Sequence, residues 1–315
     1  MRTDKKHISI VIPLLNEAGN IPVLYKALID VIEKITLDYE IIFVDDGSSD
    51  NSFEYIQQLS NQNKKVLGIS LSRNFGHQIA LTAGIEHTCG EVVITMDADM
   101  QHPPEMIPVL YERYKEGFDI VNTIRIETQD AGTFKKISSR QFYKLINRLS
   151  DVRIEPAAAD FRLMNRKTVD AFLSIKEKDR FTRGLVSWLG FKQSNIEYKS
   201  PSRFSGKSKY SLTKMIRFAI DGITSFSSKP LRISFFAGLI ISFCGMLYAG
   251  YAVAKHFYKQ TIPGWTSILV CILIIGGMQL ISIGIIGEYL ARVFNEAKNR
   301  PLYLVKQYSV NEKND

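Results

Sequence analysis

Apolar positions in the first hundred residues come in short blocks. Residues 8–13, 39–44, 65–71 and 92–96 are runs rich in Ile, Val and Leu, each closed by a polar cluster. Runs of this length and composition predict strands buried on both faces. Between them the apolar positions recur at helical spacing, which predicts helices over 21–35, through 59, and through about 86. Pro103-Pro104-Glu105-Met106 opens another helix, since proline suits a first turn. Strand and helix alternate four times, so the predicted class is α/β with a largely parallel, doubly wound sheet. Each strand ends in polar residues: Asn16 and Glu17, Asp45 and Asp46, Arg73 and Asn74, Asp97 and Asp99. Ligands of open α/β sheets bind at those ends.

The pattern then changes. Around 140–149, Arg140, Lys144 and Arg148 recur every four residues opposite Phe142, Leu145, Ile146 and Leu149. Residues 212–226 repeat the amphipathic theme just before a long apolar run, which predicts a helix lying in a bilayer interface. Residues 231–253 and 266–290 are each long and apolar enough to cross a hydrocarbon core of ~30 Å at roughly 1.5 Å per residue. Lys and Arg crowd the outer flanks of this pair, and only Lys255 and Lys259 lie between the spans. The positive-inside rule then places both termini in the cytoplasm. The expected organisation is a catalytic domain over 1–210, an interfacial helix over 211–230, a transmembrane hairpin over 231–290, and a cytoplasmic tail over 291–315.

Composition sharpens this picture in two places. The net charge is +8, and residues 199–232 hold much of the excess, with Asp221 the one acid among them. Such a block seeks phosphate, on nucleic acid or on an anionic membrane. The two spans speak against nucleic acid. Cys89, Cys244 and Cys271 have no metal-ligand spacing and suggest a reducing compartment.

The chemistry concentrates in Asp97-Ala98-Asp99-Met100-Gln101-His102-Pro103-Pro104-Glu105. Carboxylates two apart on extended chain face the same side, and an oxygen-rich pair suits a hard divalent cation that in turn binds a diphosphate. No Gly-x-Gly-x-x-Gly, Walker loop or Gly-x-Ser-x-Gly elbow is present, which removes support for dinucleotide oxidoreductases, P-loop enzymes and serine hydrolases. Asp45-Asp46-Gly47 lacks the alternating ligands of a calcium loop. It reads as a turn with one aspartate left to meet a ligand. Ser202 to Tyr210 is a cationic Gly/Ser loop of the kind that wraps phosphate.

In combination these stretches resemble the family 2 glycosyltransferases of GT-A fold, and more narrowly the polyprenyl-phosphate glycosyltransferases. That group includes the bactoprenol glucosyltransferases and dolichyl-phosphate mannose synthase. The residues that carry the resemblance are Pro13-Leu14-Leu15-Asn16-Glu17, Val44 to Asp50, Ser72-Arg73-Asn74-Phe75-Gly76, the Asp97–Glu105 stretch, Asp160-Phe161-Arg162 and Gly206-Lys207-Ser208-Lys209-Tyr210. Gly287-Glu288-Tyr289-Leu290 and Asn299-Arg300-Pro301 fit the bactoprenol branch.

The resemblance implies a donor site of Pro13, Leu15, Asn16, Glu17, Asp45, Asp46, Arg73, Asp97, Ala98 and Gln101. It implies Mg2+ or Mn2+ on Asp99 and Asp97, with Asp97, Asp99 and Asp160 as the catalytic carboxylates. Asp46 would contact the base, and Asp160 would orient the acceptor or act as a base. Arg125, Arg140, Arg203, Lys207 and Lys209 become candidates for the acceptor phosphate. The partners implied are a nucleotide sugar (UDP-glucose, with UDP-N-acetylglucosamine next), a polyprenyl phosphate, the membrane, and further copies of the chain in a homotetramer.

A lipid phosphate is already anionic and needs placing more than deprotonating, which accounts for many cations and no obvious catalytic histidine. A processive polysaccharide synthase would need a Gln-x-x-Arg-Trp stretch, whereas Arg183-Gly184-Leu185-Val186-Ser187-Trp188 has a different spacing. A membrane-anchored nucleotide sensor would not need the carboxylate pair.

Overall fold

A computed structural model describes residues 6–126, 158–199, 227–257 and 264–309. They fall into two compact units.

The larger unit holds one eight-stranded sheet. Its strands are β1 (Lys6–Leu14), β2 (Tyr39–Asp45), β3 (Val66–Leu71), β4 (Gly90–Thr95), β5 (Ile120–Ile126), β6 (Ala158–Asn165), β7 (Gln193–Lys199) and β8 (Val305–Tyr308), in the order β7-β5-β6-β4-β1-β2-β3-β8. The four strands predicted from the apolar blocks form the parallel centre, β4-β1-β2-β3. Every residue of β2 is buried, and so is β1 from Ile8 onward. That accounts for their unbroken apolar runs, because both faces are covered. Only β6 and β8 run against the rest.

Helices α1 (Ile21–Ile32), α2 (Ser52–Gln62), α3 (His77–Glu86) and α4 (Ile107–Lys115) follow β1 to β4. α1 buries Ile21, Leu24, Leu28 and Ile32, one apolar stripe against the sheet. Each such side chain stabilises the fold by roughly 1.5–3 kcal/mol relative to exposure. It stops at Ile32, earlier than the predicted 35. α3 buries small residues instead, Ala80, Ala83 and Gly84 among them. A Cβ on Gly84 would lie 2.3 Å from Val11 Cγ1, so the missing side chain is what lets α3 press on β1. The helix predicted from Pro103 begins as a 3-10 turn, Pro104–Met106, and becomes α-helical at Ile107. Helices α5 (Arg166–Ser174) and α6 (Thr182–Trp188) are the other helices of this unit among the described residues.

Two features position the site. β6 is antiparallel to β4, with Thr95 opposite Arg162. Its beginning, not its end, therefore reaches the ligand-binding edge, and that brings Asp160 beside Asp97. The second feature corrects an expectation. Residues 291–315 were expected to form a tail, but Val305–Tyr308 pairs with β3. Leu304 O accepts from Ser72 N (2.8 Å), and Ser309 Oγ accepts from Gly68 N (2.7 Å).

The smaller unit contains two long helices, α7 (Lys229–Phe257) and α8 (Trp265–Ala297). Ser234 Oγ donates to Ser282 Oγ (2.7 Å), and Tyr289 Oη donates to Ser227 O (2.6 Å), so the helices run antiparallel. Lys229–Tyr251 and Ile274–Ala297 are long and apolar enough to cross a membrane, with mean hydropathies of 1.9 and 1.5. Their large side chains face outward: Phe235, Phe236, Phe243, Leu280 and Ile283 are all more than half exposed. Such a surface needs an apolar environment. The predicted interfacial helices at 140–149 and 212–226 lie outside the described residues.

Candidate active site

The first three strand-end loops are tied into one surface. Register puts Leu14 opposite Asp45, so the loops after β1 and β2 leave side by side. Asn16 takes a left-handed backbone (φ 57), which asparagine tolerates better than most residues. Its amide donates to Ser48 Oγ (2.9 Å), and its Oδ1 accepts from Ser49 N (2.8 Å). Glu17 N donates to Ser52 Oγ (3.0 Å), and Ala18 N to Asp50 Oδ2 (3.2 Å). Pro13 is buried at the strand end, and Leu15 is half-buried beside it.

The two aspartates of the second loop have structural work. Asp45 accepts from Ser48 N (2.9 Å) and from Ser70 Oγ (3.1 Å), joining the turn to β3. Asp46 accepts from Phe75 N (2.7 Å) and Gly76 N (2.9 Å), so it gathers the third loop against the second. Burial raises the Asp46 carboxyl above the ordinary carboxylate range, against the opposing pull of those two amides. Both aspartates thus hold protein partners, including the one expected to meet a ligand. Gly47 lies between the loops at φ +73, where a Cβ would sit 2.7 Å from the Arg73 carbonyl carbon. Only glycine permits that approach. Arg73 is exposed and lays its guanidinium over the Phe75 ring at 4.1 Å.

The fourth loop carries Asp97 and Asp99. Ala98 between them is buried in the core at 2% exposure, which turns both carboxylates away from it. Met100 is left-handed (φ 61), so the chain reverses there. Gln101 N donates to Asp99 Oδ1 (3.1 Å), and Arg125 from β5 donates to Gln101 Oε1 (3.2 Å). His77 Nε2 lies 3.3 Å from Asp97 Oδ1, and His102 Nε2 lies 3.7 Å from Asp97 Oδ2. The His77 contact is close in distance but not aligned as a hydrogen bond, so Asp97 Oδ1 is buried without one.

A carboxylate oxygen that takes no hydrogen bond and has the His77 ring as its ionic neighbour, two residues from a second carboxylate, fits a divalent cation that takes its other ligands from water and phosphate. Among the described residues no group of three or more His, Cys, Asp or Glu could hold a metal. The described residues thus form no closed protein cage for an ion.

Next to Asp97 stands a cluster that the linear sequence does not reveal. Asp160 is 4% exposed and accepts from four donors. These are Arg162 Nη2, Arg183 Nε, Arg183 Nη2 and Gln78 Nε2, all at 3.1 Å. Burial alone would raise its carboxyl. Arg183, the His77 contact and Arg162 outweigh burial and hold it well below the ordinary range. His77 also lies 3.6 Å from Asp160 Oδ2. The His77 side chain is 41% exposed, so the desolvation that would lower its imidazole is partial, and Asp97 and Asp160 together push it up to about 9.

His77 and Gln78 come from the first turn of α3, Arg183 from the first turn of α6, and Asp160 from β6. Sequence reasoning missed His77, Gln78 and Arg183 as site residues. The one available signal is that His77 directly follows the polar cluster ending in Gly76. Of the expected acceptor-phosphate residues, Arg125 reaches the Asp99 loop through Gln101, while Arg140, Arg203, Lys207 and Lys209 lie outside the described residues.

Known proteins resemble this chain along most of its length. Residues 9–173 match glycosyl transferase family 2, and residues 229–293 match the GtrB C-terminal hairpin. The uncharacterized glycosyltransferase YkcC of Bacillus subtilis is 43% identical over 312 residues, covering 98% of this chain and 97% of that one. The SfII prophage-derived bactoprenol glucosyl transferase of Shigella flexneri is 38% identical over 301 residues, covering 95% and 97%. Among solved structures, glucosyl-3-phosphoglycerate synthase of Mycobacterium tuberculosis aligns with a TM-score of 0.46 and 20% identity, covering 70% of this chain and 79% of that one. At that distance it says nothing of the site. The strand-end carboxylates, the sheet that presents them and the apolar hairpin thus sit in a chain that belongs to glycosyl transferase family 2.

Proposed function

We propose that this protein transfers glucose from UDP-glucose to a polyprenyl phosphate at the cytoplasmic face of a membrane, with inversion and with Mg2+ or Mn2+. The observation that carries this reading is the Asp97/Asp99 strand end, where Asp97 Oδ1 takes no hydrogen bond, on a chain whose hairpin matches GtrB. Near full-length relatives named bactoprenol glucosyl transferase support the sugar and the lipid.

Asp99 and Asp97 would hold the divalent ion. When bound, that ion neutralises charge on the departing diphosphate. The loops of Pro13 to Glu17, Asp45 to Gly47 and Arg73 to Gly76 form the remaining wall of the donor site. Their mutual hydrogen bonds pre-set that wall before the nucleotide arrives. Asp46 offers an acceptor edge to the base while it holds the Phe75 and Gly76 amides.

Asp160 does not serve as a base. Four donors occupy it, and its carboxyl is held far below the range useful for taking a proton at neutral pH. It fixes Arg183, Gln78 and His77 instead. The acceptor phosphate needs no base, only cations. Arg125, Arg140, Arg203, Lys207 and Lys209 are the proposed set. The charge asymmetry of the hairpin flanks supports cytoplasmic termini, and the family resemblance supports a homotetramer.

The test is a screen of radiolabelled nucleotide sugars against undecaprenyl phosphate, reading label in the organic phase. Label is expected from UDP-glucose and not from GDP-mannose. Lipid-linked label from another sugar nucleotide, with none from UDP-glucose, overturns the choice of sugar.

A further inference from the structure

One buried ring at the Asp97 loop has no part in the chemistry above. His102 is 5% exposed. Its imidazole is stacked on Phe161, with centroids 5.2 Å apart at 21°, and Tyr198 meets its edge at 6.2 Å and 70°. The Asp97 amide donates to His102 Nδ1 at 2.9 Å. A ring nitrogen that accepts a hydrogen bond carries no proton, so the ring's proton sits on Nε2. That nitrogen lies 3.7 Å from Asp97 Oδ2, while His77 flanks Oδ1 at 3.3 Å. The carboxylate thus stands between two imidazoles, one from its own loop and one from α3.

We propose that His102 is a positioning residue for Asp97: it anchors the loop through the Asp97 amide and keeps its polar Nε2 edge 3.7 Å from Oδ2, a contact too long for a hydrogen bond but close enough to favour one carboxylate orientation, leaving Asp97 pre-set for a divalent cation. This rests on the metal role proposed for Asp97 and Asp99. Three demands meet at this position: an acceptor for the amide, a donor facing the carboxylate, and a flat ring between Phe161 and Tyr198. Histidine meets all three. Asparagine keeps the acceptor, because its Oδ1 takes the place of Nδ1, but offers no donor where Nε2 stood. Phenylalanine keeps only the ring. Partners that orient a ligating group typically change metal affinity about 10- to 100-fold when removed.

The test uses the full chain in detergent and measures Mn2+ binding in the presence of UDP by electron paramagnetic resonance, beside UDP binding without metal and thermal melting. His102→Asn gives up the ring packing and is expected to melt lower than the unaltered protein, yet to stay folded, bind UDP alone normally and lose about tenfold or more in Mn2+ affinity. His102→Phe is expected to lose at least as much. Unchanged Mn2+ affinity in His102→Asn overturns the proposal and leaves the ring as a loop anchor only. If His102→Phe melts much lower, His102→Asn alone decides. Asp99→Asn separates the two levels: if it binds Mn2+ as tightly as the unaltered chain, the metal role itself fails and this inference with it. If Asp99→Asn loses Mn2+ and His102→Asn does not, only the inference fails.

Discussion

Asp99 and Asp160 are both carboxylates at one sheet edge, and their surroundings give them opposite work. Asp99 has a loop amide on Oδ1 and lies half-buried. Asp99→Asn keeps the shape and removes the charge that would hold a cation. A loss of at least ~100-fold in turnover is expected, about 2.7 kcal/mol of transition-state stabilisation. Turnover persisting in that variant or in excess EDTA contradicts the metal role. Asp160 is the counter-charge for buried Arg162 and for Arg183. Replacing it with Asn leaves those cations unmatched and should destabilise the fold by about 3–5 kcal/mol at neutral pH, read by denaturant unfolding.

The acid limb gives the same argument a sign. The folded carboxyl of Asp160 is held well below 3.8. Its stabilisation is therefore complete above its unfolded value and is lost as pH falls through the lower folded value. Asp160→Asn should show a flatter decline in that range; an identical acid slope argues against the ion cluster. Asp97, Asp99 and Asp160 were legible in the sequence because each sits in a compact motif. His77, Gln78 and Arg183 were not, because they meet Asp160 only through the placing of three separate elements.

At the scale of elements, the parallel centre was legible because both faces of those strands are covered, which forces continuous apolar runs. The outer strands had no such constraint. β7 reads Gln-Ser-Asn-Ile-Glu-Tyr-Lys, with polar residues throughout, and β8 is only four residues long. β6 carries a buried arginine, so Asp160-Phe161-Arg162 looked like chemistry before it looked like a strand. β8 bears on the proposed donor site because Leu304 O accepts from Ser72 N, in the first residue of the Arg73 loop. Tyr308 also meets His87, and Tyr303 donates to Glu86, so the segment braces α3 as well. Deleting residues 303–315 should therefore lower the melting temperature and weaken UDP binding, although the cut lies far from Asp97 in sequence. Unchanged UDP affinity in the truncated chain would show that the third loop holds itself.

The whole molecule joins a polar sheet edge to an apolar hairpin on one chain. The hairpin was the most legible feature of all, since length and hydropathy suffice to identify it. The orientation proposed for it rests on charge at the flanks, and by that proposal a cysteine placed at Thr261 should react with an impermeant reagent from outside intact cells. Labelling only after lysis reverses the topology.

The account as a whole rests on sugar reaching a lipid phosphate, and one measurement addresses that directly. Purified protein is given radiolabelled UDP-glucose, undecaprenyl phosphate and Mn2+, and UDP release is followed together with label entering the lipid. The account predicts the two in one-to-one proportion, both requiring the lipid phosphate and the divalent ion. UDP release without label in the lipid would contradict it, because the chain would then be a hydrolase of its donor and not a transferase to the membrane.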